Sequence, residues 1–230
     1  MKRLYLTVEG QTEAAFATSV LAPHLANFNV FLTRPRFTGL HKRRRGRIPQ
    51  GGLLNSFSHT LADMKTWLKE DKAHEARFSM MVDLYSLPED FPGYVAGMAN
   101  PNGRKQAIAL QTSLAEEMSD VRFIPYLQVH EFETLVLVDP RRIATIYDVP
   151  NTILESLYQD CGGYRTPEDI NNGHHSHPKY RIQQIVREYD ENVAGPLIAE
   201  NIGLPALRVR CPHFGDWLTT LEQLDEVRCN

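Results

Sequence analysis

Four carboxylate side chains stand where three hydrophobic segments of the chain end. Glu9 follows the segment LYLTV, Asp83 follows SMMV, and Glu131 and Glu133 come directly after RFIPYLQVH. Short, almost entirely apolar segments of this kind are typical of strands in a parallel sheet that is covered on both faces. Ligands of such sheets bind beyond the carboxyl ends of the strands. We therefore expect the four carboxylates to converge on one edge of a sheet.

Carboxylates gathered at one edge repel each other unless a cation lies between them. If Glu131 and Glu133 lie in extended backbone, their i, i+2 spacing places both side chains on one face. Ligand sets made only of oxygen favour Mg²⁺ or Mn²⁺ over zinc. We therefore predict a Mg²⁺ or Mn²⁺ site formed by Glu9, Asp83, Glu131 and Glu133. The alternative is that each acid only caps a helix or faces water.

The predicted elements of residues 1–139 alternate four strands with three helices. Apolar segments predict strands at residues 3–9, 29–37 and 77–85 and a fourth within residues 121–139. Apolar residues at helical spacing predict a helix with Thr12 as N-cap that Pro23 disturbs, one carrying Leu53 to Leu68, and one from Arg104 to Met118. This order predicts an α/β fold with a four-stranded parallel sheet and helices on both faces.

The pattern changes after Asp139, where short helical segments are interrupted by Pro150, Pro167, Pro178, Pro196, Pro205 and Pro212. We therefore divide the chain into an α/β domain at residues 1–139 and a helical C-terminal annex at residues 140–230 that packs on it.

The composition is that of an ordinary globular protein, with 42% hydrophobic and 23% charged residues. A net charge of −3 argues against binding nucleic acid through the overall field, so such binding requires a local basic patch. Three cysteines without CxxC spacing are expected to be reduced thiols. No apolar stretch approaches the roughly 20 residues of a bilayer span. We therefore predict a cytoplasmic protein with no membrane partner.

Several motifs resemble a known family. A strand that ends in Glu-Gly, with an Asp-bearing third strand, resembles the Toprim fold of topoisomerases, primases and overcoming-lysogenization-defect (OLD) nucleases. Five segments in order resemble an uncharacterised bacterial Toprim-like family, a domain of unknown function related to OLD-type nucleases and found beside AAA or SMC-like ATPases. These segments are VEGQTEAAF, MVDLYSLPEDFPG, FIPYLQVHEFETLVL, GPLIAENIGL and CPHFGDWL.

The resemblance implies that Glu9 is the Toprim glutamate, a general acid/base or metal ligand, and that Asp83 is the first acid of the Asp-x-Asp pair. Tyr85 stands where the second acid is expected. The resemblance therefore leaves the shell to be completed by Asp90 or by Glu131 with Glu133.

The function that this resemblance implies is a Mg²⁺-dependent Toprim-type nuclease, which hydrolyses DNA or RNA as the effector of a bacterial anti-phage defence system. An AAA/SMC-like ATPase is its implied partner. The absence of the second acid favours an alternative, a non-catalytic Toprim-like binding subunit of such an ATPase. A metal-dependent phosphatase is the other alternative.

Two basic segments are candidates for phosphate contacts. The segment HKRRRGR supplies a predicted clamp for the nucleic-acid backbone, made of Lys42, Arg43, Arg44, Arg45 and Arg47. The segment HHSHPKYR supplies Lys179, predicted as a catalytic cation that stabilises the transition state, and Arg181, predicted to contact nucleic acid. Its three histidines leave a zinc site as an alternative. His130, beside Glu131, is a candidate general base or partner of a metal ligand, and a core or cap histidine is the equal alternative.

Overall fold

The structure, a computed structural model, describes residues 1–38, 56–85, 87–170 and 173–226. The elements of its first part are β1 (Lys2–Val8), α1 (Gln11–Phe16), α2 (Ala22–Ala26), β2 (Val30–Leu32), β3 (Arg36–Phe37), α3 (Ser58–Glu70), β4 (Ala76–Asp83), α4 (Tyr94–Met98), α5 (Gly103–Met118), β5 (Phe123–Ile124) and β6 (Leu127–Gln128). The helices that follow are α6 (Glu133–Val136), α7 (Asn151–Gly162), α8 (Pro178–Ile185), α9 (Glu191–Ile202), α10 (Leu204–Arg210) and α11 (Pro212–Glu222).

The six strands form a parallel sheet with four strand positions. β1 and β4 are the central neighbours, β2 and β3 both pair with the outer side of β1, and β5 and β6 both pair with the outer side of β4. Pro35 separates β2 from β3, and Pro125 separates β5 from β6. Because proline has no N–H to donate, each outer strand is split at its proline. The predicted α/β fold with a parallel sheet of four strand positions is therefore confirmed.

The hydrophobic side chains form one core on each face of the sheet, because successive residues of a strand point to opposite faces. One core joins strand residues to α3 and α5, and it includes Phe78, Met80, Val82, Met64, Leu68, Leu110 and Leu114. The other core joins strand residues to α1 and the C-terminal helices, and it includes Leu4, Leu6, Val8, Met81, Phe16, Leu154 and Leu218. Helices thus cover both faces, and the helical C-terminal region packs on one of them.

The first helix differs from its prediction at its start. It begins at Gln11, one residue before the proposed N-cap Thr12, and its first turn accepts the Gly10 N–H through Glu13 Oε2 at 2.7 Å. Near Pro23 the helix is disturbed, as predicted, by a π-helical turn over Ala17–Leu21 that precedes α2. A π-helical turn widens the backbone where proline would otherwise clash with a carbonyl group one turn earlier.

The other two predicted helices are observed as α3 and α5, with α5 beginning one residue before the predicted Arg104. Leu53 and Leu54 lie outside the described residues. Within the described part of the chain, none of the helices combines the length and apolar character that a bilayer span requires.

Candidate active site

The central strands β1 and β4 bring Glu9 and Asp83 side by side. Val8 is aligned with Met81 in the parallel pairing, so the residues that follow both strands reach the same edge of the sheet. The Asp83 N–H donates to Glu9 Oε2 at 3.1 Å. The Oδ1 atom of Asp83 is buried and has no hydrogen-bond partner among the described residues. The structure therefore places these two predicted residues together, with one carboxylate oxygen unused.

Glu13 is a third carboxylate at this edge, and the sequence reasoning missed it. The chain turns at Gly10 directly into α1, so that Glu13 faces back toward the tip of β1 and its Oε2 atom accepts the Gly10 N–H. Its side chain is only 4% exposed. The available signal was its place four residues after Glu9, within the first turn of the helix that follows the strand.

Glu131 and Glu133 also reach this edge, although the condition of extended backbone for both is not met. Glu133 is the first residue of α6 and is therefore helical. Glu131 accepts hydrogen bonds from His177 Nδ1 at 2.9 Å and from the backbone N–H of Lys179. Glu133 is 2% exposed, and its Oε1 atom is buried without a hydrogen-bond partner among the described residues.

We call Glu9, Glu13, Asp83, Glu131 and Glu133 the carboxylate cluster. Lys179, from the first turn of α8, lies beside this cluster, where its positive charge lowers the pKa of Glu13 and of Glu133. Its Nζ atom donates to Glu191 at the start of α9. The structure thus brings Lys179 to the four predicted carboxylates and adds Glu191, which sequence reasoning did not single out.

The carboxylates of the cluster hold protons more tightly than ordinary acids. Burial and the charge of Glu13 raise the pKa of Glu9 to about 7. Burial and the charge of Glu131 raise the pKa of Glu133 to about 8. Burial raises the pKa of Asp83 well above its ordinary value, and the charges of Glu13 and Glu9 raise it further. These shifts express a surplus of buried negative charge that Lys179 alone does not balance.

The donor chemistry of the cluster fits a hard divalent cation. All five side chains offer oxygen atoms, as Mg²⁺ and Mn²⁺ prefer, and the partnerless Oδ1 of Asp83 and Oε1 of Glu133 are free to accept one. Among the described residues, no three His, Cys, Asp or Glu side chains already form a group that could hold a metal ion. Binding would therefore require the carboxylates to turn toward a shared ion.

The hydrogen bonds of Asp90 and Arg181 are made outside the cluster. Asp90 accepts the backbone N–H of Phe57 at 2.6 Å and that of Ser58 at 3.1 Å at the start of α3, so it caps a helix. The Nε atom of Arg181 donates to the Ser176 carbonyl at 2.7 Å. The clamp residues Lys42, Arg43, Arg44, Arg45 and Arg47 lie outside the described residues.

Histidine positions also differ from expectation. The ring of His130 lies 2.9 Å through Nε2 from the Glu168 carbonyl oxygen, so it does not contact its sequence neighbour Glu131. His177 makes that contact instead, and its ring stacks on Tyr85 with 5.1 Å between centroids. The histidine that hydrogen-bonds to Glu131 is therefore His177, which is distant in the chain, and not its neighbour His130.

We expect His177→Ala to destabilise the protein by about 1–2 kcal/mol, because it removes a hydrogen bond to a buried carboxylate. For a chain of this length the melting temperature should fall by about 2–8 °C. The matched control is His174→Ala, which removes an exposed histidine of the same segment. Thermal unfolding of the two variants in parallel checks the prediction, and equal melting temperatures would show that His177 does not hold Glu131.

Comparison with known proteins places these residues in a family. A comparison with curated proteins gives no match. Among solved structures, the C-terminal region of the Burkholderia pseudomallei OLD protein is similar with a TM-score of 0.47 and 14% identity, over 97% of this chain and 98% of that one. Residues 8–222, which contain the whole carboxylate cluster, match the family described as Domain of unknown function (DUF4276). The chain therefore belongs to the DUF4276 family.

Proposed function

We propose that the protein is a divalent-metal-dependent nuclease that hydrolyses phosphodiester bonds of DNA or RNA. The observation that carries this proposal is the carboxylate cluster at the tips of two adjacent parallel strands, with raised pKa values and partnerless oxygen atoms. Glu9, Glu13, Asp83, Glu131 and Glu133 are the residues that would hold Mg²⁺ or Mn²⁺. When bound, the ion would supply neutralisation of phosphate charge and a water of lowered pKa.

Glu9 is suited to move a proton during this reaction. Its pKa of about 7 lies close to neutral pH, where a carboxyl group can both accept and return a proton. Its rigid position at the end of β1 is maintained by the hydrogen bond from the Asp83 N–H. We assign Glu9 the role of general acid/base or ligand, and Asp83 the role of ligand.

Lys179 is suited to bind a phosphate oxygen. Burial lowers the pKa of Lys179, but its hydrogen bond to Glu191 and the charges of Glu191 and the cluster outweigh burial and raise the pKa overall. The ammonium group is therefore charged at neutral pH. A phosphate that binds at the cluster can replace Glu191 as the partner of the Lys179 ammonium group. The ammonium group then stabilises charge in the transition state.

The nature of the substrate rests on the sequence. The clamp at Lys42–Arg47 and the predicted contact from Arg181 favour a nucleic-acid backbone over a small phosphoester, which would make little use of so many cations. The role in anti-phage defence, the AAA/SMC-like ATPase partner and the cytoplasmic location are proposals that rest on the sequence resemblance.

A second candidate function is a non-catalytic binding subunit of such an ATPase. It is favoured by Tyr85, which occupies the place of the second Toprim acid. The Tyr85 N–H donates to the His130 carbonyl at 2.7 Å and its ring stacks on His177, so Tyr85 has packing contacts there and supplies no ligand carboxylate.

Cleavage of labelled single- and double-stranded DNA and RNA, with Mg²⁺ or Mn²⁺ and with EDTA, tests the proposal. We expect cleavage of at least one substrate with metal and none with EDTA. Assays on mononucleotides and a chromogenic phosphomonoester run alongside. Hydrolysis of the monoesters alone would support the phosphatase, and inactivity on every substrate, with the ATPase partner added, would support the binding subunit.

A further inference from the structure

A cavity of about 330 Å³ lies between the start of α5 and residues 165–169. Three cationic side chains line it, those of Arg104, Lys105 and Arg165, together with the polar Asn102 and Thr166. This volume lies in the lower part of the range of ligand-binding cavities, which is roughly 300–1,000 Å³. We call it the cationic cavity.

Its cations are largely uncommitted. Lys105 and Arg165 are exposed, and neither side chain forms an ion pair within the described ranges. Arg104 contacts Asp216 at 2.9 Å, but Asp216 is 75% exposed, so the pair is weak. The Nε atom of Arg104 is buried without a hydrogen-bond partner among the described residues. The cavity therefore contains N–H donors that have no acceptor among the described residues.

The two acids that line the cavity offset only part of this charge. Glu168 is 2% exposed, and its carboxylate is occupied by the backbone N–H groups of His213 at 3.0 Å and Phe214 at 3.1 Å. Its oxygens thus serve the first turn of α11. Glu168 also interacts with the charge of Arg104, and Asp169 is exposed, so two acids face three cations in the lining. An anion is the ligand that such a balance favours.

His130 and Glu131, which are consecutive in the chain, connect the cationic cavity with the carboxylate cluster. The Nε2 atom of His130 lies 2.9 Å from the carbonyl oxygen of Glu168, which lines the cavity, and Glu131 belongs to the cluster. Gly103 completes this contact, since a Cβ at that position would lie 2.9 Å from His130 Cε1. The cluster and the cavity therefore both adjoin residues 130–131.

We propose that the cationic cavity binds a phosphate group of a nucleic-acid strand, next to the phosphodiester that lies at the carboxylate cluster. This proposal rests on the proposed nuclease function. Guanidinium groups match phosphate oxygens with paired N–H donors, and Lys105 adds a point charge. A cation site and an acidic metal site that both adjoin residues 130–131 would hold a strand at two successive places. The position at which the strand is cleaved would then depend on both sites.

The test is the double variant Lys105→Gln/Arg165→Gln, compared with the control Lys72→Gln/Arg210→Gln. Both pairs remove one lysine and one arginine charge from exposed side chains, so both should fold as the wild type does. The probes are a fluorescent single-stranded oligonucleotide, measured in EDTA to prevent cleavage, and inorganic tripolyphosphate, measured by its effect on melting temperature.

We expect the cavity variant to bind the oligonucleotide at least about 10-fold more weakly than the control. We also expect its salt dependence to fall by about 0.7 in log–log slope, the value for one lost phosphate contact on a single strand. The stabilisation by tripolyphosphate should be reduced in the cavity variant and kept in the control. Equal affinities and slopes for the two variants, or no binding of either probe by the wild type, would overturn the proposal.

The outcomes separate this proposal from the proposed function. If the wild type cleaves nucleic acid but the two variants bind alike, the nuclease stands and the cationic cavity fails. If the wild type binds both probes through the cavity but cleaves nothing with metal, the phosphate site stands and the nuclease fails.

Discussion

Glu9→Gln is expected to lower metal-dependent cleavage by about 10²–10⁴-fold, the usual cost of losing one acid/base group. The amide keeps the size of the side chain and an oxygen that can accept the Asp83 N–H, so β1 and its core should survive. What the variant loses is the negative charge and the ability to take up a proton near neutral pH. Initial rates of cleavage on the best substrate, with Mn²⁺ and with Mg²⁺, measure the effect.

The matched control for this experiment is Glu116→Gln, which makes the same chemical change at an exposed position of α5. It should cleave as the wild type does. Asp83→Asn serves as a second reporter, because loss of this ligand should abolish the rise in melting temperature that Mg²⁺ or Mn²⁺ causes by binding the native state. Cleavage by Glu9→Gln at the rate of the control would refute a catalytic role for Glu9. In a binding subunit the same variant should instead keep its affinity for the ATPase.

The strand tips could be predicted from the sequence because the signal there is local. The apolar runs that end at Glu9 and Asp83 identify buried strands, and the rule for parallel sheets then places both carboxylates at one edge. The interruptions at Pro35 and Pro125 were not predicted, although each follows from a single residue. These features need no knowledge of contacts between distant parts of the chain.

The rest of the site depends on tertiary contacts that no local sequence pattern indicates. Glu131 is held by His177, which lies 46 residues away in the chain. Glu13 joins the cluster through the turn at Gly10, whose direction the periodicity does not define. The role of His130 and the backbone of Glu133 were left open by the sequence, because the chain turns into α6 there and adjacency does not define side-chain contacts. The cationic cavity similarly joins residues 102–105 to residues 165–169.

The stability of the metal-free protein is expected to decrease as pH rises from about 4.5 to about 8. Glu133 has a pKa of about 8 in the folded protein and an ordinary value of 4.5 when unfolded. Between these values the folded state holds a proton that the unfolded state has lost, so the free energy of unfolding falls with rising pH. Glu9, with a pKa of about 7, acts in the same direction up to that pH. The contribution is favourable below the window and fully lost above it.

Glu133→Gln should remove much of this pH dependence, because a buried amide stays neutral at every pH in the range. One unit of pKa corresponds to about 1.4 kcal/mol, so the rise from 4.5 to about 8 should make the variant more stable than the wild type by about 4–5 kcal/mol without metal at pH 8.5, or about 8–20 °C in melting temperature. At pH 4.5 the two should unfold alike, and Glu116→Gln should follow the wild type throughout. Unfolding curves in EDTA at several pH values measure this difference, and a wild type as stable as the variant at pH 8.5 would contradict it.

With Mg²⁺ or Mn²⁺ added the order of stability should reverse, because only the wild type keeps the carboxylate that the ion needs. Packing alone would favour the amide both with and without the ion. A wild type that is less stable than Glu133→Gln without the ion and more stable with it therefore keeps the Glu133 carboxylate for metal binding.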